Sequence, residues 1–81
     1  MKSEIDIYVI KEVRKRREAM GLSQEALSYR IGRSATFIGN VESGKAKYSV
    51  THLNMIALVL KCSVRDFFPD KAMPVSGVSL M

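Results

Sequence analysis

Glycine punctuates this chain at intervals that leave room only for short helices. Gly21, Gly32 and Gly44 each fall where a helical pattern of apolar residues ends, and each suits the left-handed position just past a helix. Serines stand where new patterns begin. Ser23, Ser34, Ser49 and Ser63 are good N-caps, because a serine hydroxyl accepts an orphan backbone N–H. The punctuation predicts five helices, at about 6–20, 24–31, 35–43, 50–61 and 64–68, with ends placed to within roughly two to four residues.

The apolar faces fit that division. Val9, Val13 and Met20 line one side of the first segment, Ala26, Leu27 and Ile31 the second, and Ile38 and Val41 the third. The fourth carries Leu53, Ile56, Ala57 and Leu60 at helical offsets, and Val64, Phe67 and Phe68 close the end. The expected fold is all-α, a compact five-helix domain over residues 1–68 with a tail at 69–81. SEIDIYVI alternates over residues 3–10 as a strand would, but Val9 and Val13 carry on into a helical pattern, which favours helix. Pro74 and Gly77 break any helix in the tail. Val75, Val78 and Leu80 suit a short added strand or a dimer contact, and the alternative is a frayed end.

Size and composition set bounds. At 81 residues and 47% hydrophobic, the chain builds one core. It has no run of 18 apolar residues, so no membrane span is expected. The start MKSEIDIYV is acidic where an export signal is basic, which makes a cytoplasmic location the expectation. The single cysteine, Cys62, has no partner for a disulfide or a metal site and reads as a small core residue. A formal net charge of +5 makes polyanions plausible partners, nucleic acid before an anionic membrane. No nucleophile stands with a base, and there is no phosphate-binding glycine loop or acid pair. Neither an enzyme nor a cofactor or metal is expected.

Two short helices joined by a glycine-bearing turn suggest a helix-turn-helix. The first is SQEALSYRI, the joint Gly32-Arg33-Ser34, and the second ATFIGNVES. Leu27, Ile31, Ile38 and Val41 are the apolar contacts that fix the angle between them, and the small Ser28 sits where they cross. Residues 9–68 resemble the Cro and lambda-repressor type of domain, the xenobiotic-response-element family. The likeness rests on Arg17, GLSQEAL, Gly32, Ser34, Ile38, the run Glu42-Ser43-Gly44-Lys45 and the stretch LNMIALVLKCSVRDFF. Two residues depart from the pattern: Arg33 stands where the family usually has valine, and Phe37 occupies a commonly polar position. The resemblance implies a DNA-binding transcriptional regulator, a repressor by expectation, working as a homodimer. It also implies an ion pair between Arg17 and Glu42 that ties the first helix to the recognition helix.

With Ile38 and Val41 turned to the core, the opposite face of the recognition helix holds Thr36, Gly39, Asn40 and Ser43, with Ala35 at its flank. This face is short and uncharged, unlike an ordinary solvated helix. Asparagine pairs with adenine in the major groove, and the methyl groups of Thr36 and Ala35 suit a thymine methyl. Ala35, Thr36, Gly39 and Asn40 are therefore the expected base contacts. Gly39 costs helix propensity but lets the backbone approach the bases; the alternative is a tolerated surface glycine. Expected phosphate contacts are Arg33, Ser34, Ser43, Lys45 and Lys47, with Tyr48 as a further candidate. Gln24, at the start of the first motif helix, joins them by resemblance and is expected to brace Thr36.

The basic run Lys11, Arg14, Lys15, Arg16 and Arg17 spreads around the first helix and reads mainly as a solvated face. His52 reads as a surface or capping residue. The expected dimer surface is the fourth and fifth helices with the tail, through Met55, Val59 or Phe68. Double-stranded DNA is thus the expected partner. The rival keeps the fold but binds a partner protein through the tail, as an antitoxin does. A second rival is charge-driven, sequence-blind nucleic-acid binding.

Overall fold

The computed structural model describes residues 2–75. Within them the chain forms four α-helices, α1 (Glu4–Ala19), α2 (Gln24–Arg30), α3 (Phe37–Glu42) and α4 (Val50–Leu60), followed by a single 3-10 turn at Val64–Phe67. The expected fifth helix is that 3-10 turn. Pro69 is close behind it, and Phe68 is already extended, so no second turn follows. Residues 70–75 form no helix or strand, and the expected strand or contact at Val78 and Leu80 lies outside the described residues.

Side-chain chemistry fixes each helix start. Ser3 and Asp6 form a reciprocal capping box at α1, so SEIDIYVI is helical from Glu4 onward. Ser23, Ser49 and Ser63 cap α2, α4 and the 3-10 turn. Ser34 does not cap α3. That helix begins at Phe37, and its Ile38 N–H donates to the hydroxyl of Ser28, 3.0 Å away on α2. The Ser28 hydroxyl in turn donates to the Gln24 carbonyl at 2.8 Å. A fully buried serine thus supplies from the neighbouring helix the cap that α3 lacks in its own sequence.

The three turn glycines all have positive φ: +71° at Gly21, +72° at Gly32 and +94° at Gly44. An L side chain is strained there. Lys61 closes α4 in the same region, at φ +57°.

The core is a single cluster in which Val9 and Val13 of α1 meet Leu27 and Ile31, Ile38, four residues of α4 and Phe67. Phe67 is fully buried, and truncating such a side chain to alanine costs about 3–5 kcal/mol. Met20 does not join the cluster. Helix α1 ends one residue before it, and it is 42% exposed. Phe68 also turns outward, while Phe67 fills the core. Cys62 packs partly buried against the cluster, and burial pushes its thiol up from the ordinary value. No helix among the described residues is long and apolar enough to cross a membrane.

Candidate nucleic-acid interface

Helices α2 and α3 pack on each other and leave one side of α3 uncovered. Thr36, Asn40 and Ser43 are exposed on that side, with Ala35 half-buried beside them. No carboxylate lies among them. Glu42, the one acid of α3, turns the other way, and its side chain is only 4% exposed.

Glu42 is held by a converging set of donors. Arg17 Nε donates to one carboxylate oxygen at 2.9 Å and Arg17 Nη2 to the other at 3.0 Å. The remaining terminal nitrogen of Arg17 donates to the Leu22 carbonyl at 2.7 Å. One buried guanidinium therefore fixes both the α1–α2 turn and the orientation of α3. The Leu22 contact left no mark in the sequence, since a backbone carbonyl has no residue type. Gln24 adds a third donor, its Nε2 2.9 Å from Glu42; it does not brace Thr36.

This places Gln24 directly over Gly39. A Cβ built on Gly39 would meet the Gln24 side-chain oxygen at 3.0 Å. The glycine thus has a reason inside the protein, separate from any approach to bases, and it is only partly exposed.

A charged fringe surrounds the neutral face unevenly. Lys45 follows α3 on a turn closed by its own N–H, which donates to the Asn40 carbonyl at 2.8 Å, and its side chain is exposed. Ser43 caps the end of α3 and donates its hydroxyl to the same carbonyl at 3.1 Å. Ser34 is exposed, with its carbonyl accepting the Phe37 N–H. Lys47 is engaged elsewhere. Its Nζ lies 3.2 Å from Asp6, the acid of the α1 capping box. The Ser3 backbone N–H, more than Lys47, holds the Asp6 carboxyl below its ordinary value. Tyr48 does not extend outward: its hydroxyl is buried with no hydrogen-bond partner among the described residues, and burial raises its pKa strongly.

Arg33 lies over the ring of Phe37, 4.8 Å from its centroid. That ring also packs against His52 at 4.6 Å and Tyr48 at 6.2 Å between centroids. His52 completes a capping box at α4, its Nδ1 accepting the Ser49 N–H at 3.0 Å. This bond requires Nδ1 to be unprotonated, so the neutral ring carries its proton on Nε2. Burial, then the charge of Arg33, lowers the His52 pKa.

The rest of the basic run stays apart from this face. Arg14 pairs with Glu18 at 3.3 Å, Lys11 and Lys15 are exposed, and Arg16 is partly buried. On α4, Met55 and Val59 are half-buried against the core, whereas Leu58 is 73% exposed. The outward apolar residues of α4 are therefore Leu58 and, in its first turn, Val50, which is 79% exposed. Among the described residues no His, Cys, Asp and Glu cluster suits a metal ion.

Comparison with known proteins places this geometry. The family model described as helix-turn-helix matches residues 13–67. An uncharacterized transcriptional regulator in the ATPase CF(0) region of Rhodospirillum rubrum is 39% identical over 66 residues, covering 82% of this chain and 61% of that protein. The chain thus spans somewhat less than two thirds of that relative, and 48% of a helix-turn-helix-type regulator of Sinorhizobium medicae that is 35% identical to it. Among solved structures, the restriction-modification controller protein C.AhdI of Aeromonas hydrophila is 31% identical. It superposes with a TM-score of 0.69, covering 78% of this chain and 97% of that one.

Proposed function

The chain belongs to the helix-turn-helix family, and on that premise we propose that it is a sequence-specific double-stranded DNA-binding regulator, acting as a repressor. Helix α3 enters the major groove, where Thr36 and Asn40 reach base edges with Ala35 beside them and Gly39 lets the backbone close in. Gln24, Arg33, Ser34, Ser43 and Lys45 hold phosphates on either side, and Lys47 joins them by exchanging Asp6 for a phosphate. These contacts set register and carry no sequence information of their own.

One observation carries the reading. The outward side of α3 is neutral, short-chained and uncovered, and its one acid is turned inward onto Arg17. A face free of carboxylates meets the negative potential of a groove without repulsion, and an exposed asparagine there presents both a donor and an acceptor. The family relatives bear the names of transcriptional regulators and a controller protein, which supports the regulatory role.

Two copies related by a twofold axis place their α3 helices in successive major grooves, about 34 Å apart, on a palindromic site. Leu58 and Phe68, both apolar and exposed, suit that dimer contact. Selection of bound duplexes from a random pool at near-physiological salt tests the function. A palindromic consensus supports it, and a pool that stays random after repeated rounds rejects sequence-specific binding.

A further inference from the structure

Arg33 and Phe37 lie at the leading end of α3, and the structure brings them together. The guanidinium carbon sits 4.8 Å from the Phe37 ring centroid, and among the described residues no ion pair claims Arg33. Phe37 is the first residue of α3. Its ring is packed against His52 and Tyr48, so the shelf under Arg33 is fixed by α4 and by the residues before it.

We propose that Phe37 is a positioning residue: it holds Arg33 before binding in the orientation that meets a duplex phosphate at the leading end of α3. This rests on the DNA-binding reading above. An exposed arginine loses side-chain freedom when it grips a phosphate, and one restrained beforehand by a ring loses less. The difference is worth about three- to tenfold in affinity. The cation remains Arg33 alone. Phe37 therefore governs affinity without changing the number of counterions released.

The test is a binding cycle on the full chain with its selected duplex, measured across salt concentrations. Phe37→Leu keeps an apolar side chain at the site. It is expected to weaken binding about three- to tenfold on selected and scrambled duplexes alike, with the salt slope unchanged. Phe37→Tyr keeps the ring and restores wild-type affinity. Arg33→Ala lowers the salt slope by about one, and Phe37→Leu added to it costs nothing more. Equal cost of Phe37→Leu with and without Arg33 means that the ring acts only through the fold, and the proposal fails. It fails too if Phe37→Leu alone changes the slope or leaves affinity unaltered.

A separate reading on the free chain distinguishes the two levels. The δ-methylene protons of Arg33 should show an upfield ring-current shift that Phe37→Leu abolishes. A chain with that shift but no affinity for any duplex overturns the DNA reading and the proposal with it. A chain that binds its duplex normally without the shift overturns the proposal alone.

Discussion

Replacing Arg17 by methionine removes three hydrogen bonds and one buried charge while keeping most of the apolar stem. Glu42 then keeps a single close donor, Gln24 at 2.9 Å, with Arg14 at 4.0 Å and largely solvent-exposed. A buried carboxylate stripped of its main partner costs about 3–5 kcal/mol. The nearby Arg14 places the expected loss at the lower end, about 3 kcal/mol. A domain of 81 residues holds roughly 4–12 kcal/mol in total, so the variant should be marginal. With a urea slope of about 1 kcal/mol/M, the midpoint falls by about 3 M.

The informative partner is Glu42→Leu. Alone it leaves Arg17 buried against an apolar group and is also destabilising. In the double variant both charges are gone and two apolar side chains of similar volume face each other, which is often neutral or better. The double variant should therefore lie within about 1 kcal/mol of wild type, a coupling above about 2 kcal/mol. Additive losses in the urea cycle would refute the reasoning, because they would mean the two charges do not share one buried site.

Gly39→Ala should leave stability within about 0.5 kcal/mol of wild type, since a helix-propensity gain near 0.8–1 kcal/mol offsets the displaced Gln24–Glu42 bond. In a Gln24→Ala background the same change should stabilise by about 0.8–1 kcal/mol; a destabilisation there would contradict the packing account. Lys47→Ala should weaken binding to every duplex alike and reduce the salt slope by about one, and an unchanged slope leaves Lys47 with Asp6 only. The folded-state pKa of His52 is lowered, so the unfolded chain binds the proton more readily. Its stabilising contribution is complete above pH about 6.5 and is lost as pH falls through the lower folded value. His52→Gln keeps a capping-box side chain without the titration; urea melts across that range should show a flatter profile, and an identical profile would exclude His52 as the group responsible.

The glycine turns were legible because Gly21, Gly32 and Gly44 are the residue type a positive φ demands. Lys61 adopts the same conformation with no signal, since nothing in a lysine announces it. The start of α3 was misplaced for a tertiary reason. Ser34, Ala35 and Thr36 look like a cap and a first turn, but the cap comes from Ser28 on another helix. At the site, the uncovered face of Thr36 and Asn40 followed from periodicity, because Ile38 and Val41 fix which way α3 turns. What Gln24 does to Gly39, what Asp6 does to Lys47 and what Phe37 does to Arg33 all depend on distances across helices. Periodicity along one segment holds no record of those. The same limit applies to α4, whose pattern offers Met55 and Val59 as outward residues, whereas Val50 and Leu58 are the exposed ones.

The most direct test of base reading is the affinity of Asn40→Ala for the selected duplex and for a scrambled one at fixed salt. The account predicts a loss of about 1–3 kcal/mol on the selected site, relaxed preference at one position per half-site, and scrambled-duplex affinity unchanged. Equal weakening on both duplexes would contradict it, because Asn40 would then act through the fold or the phosphates and not through a base.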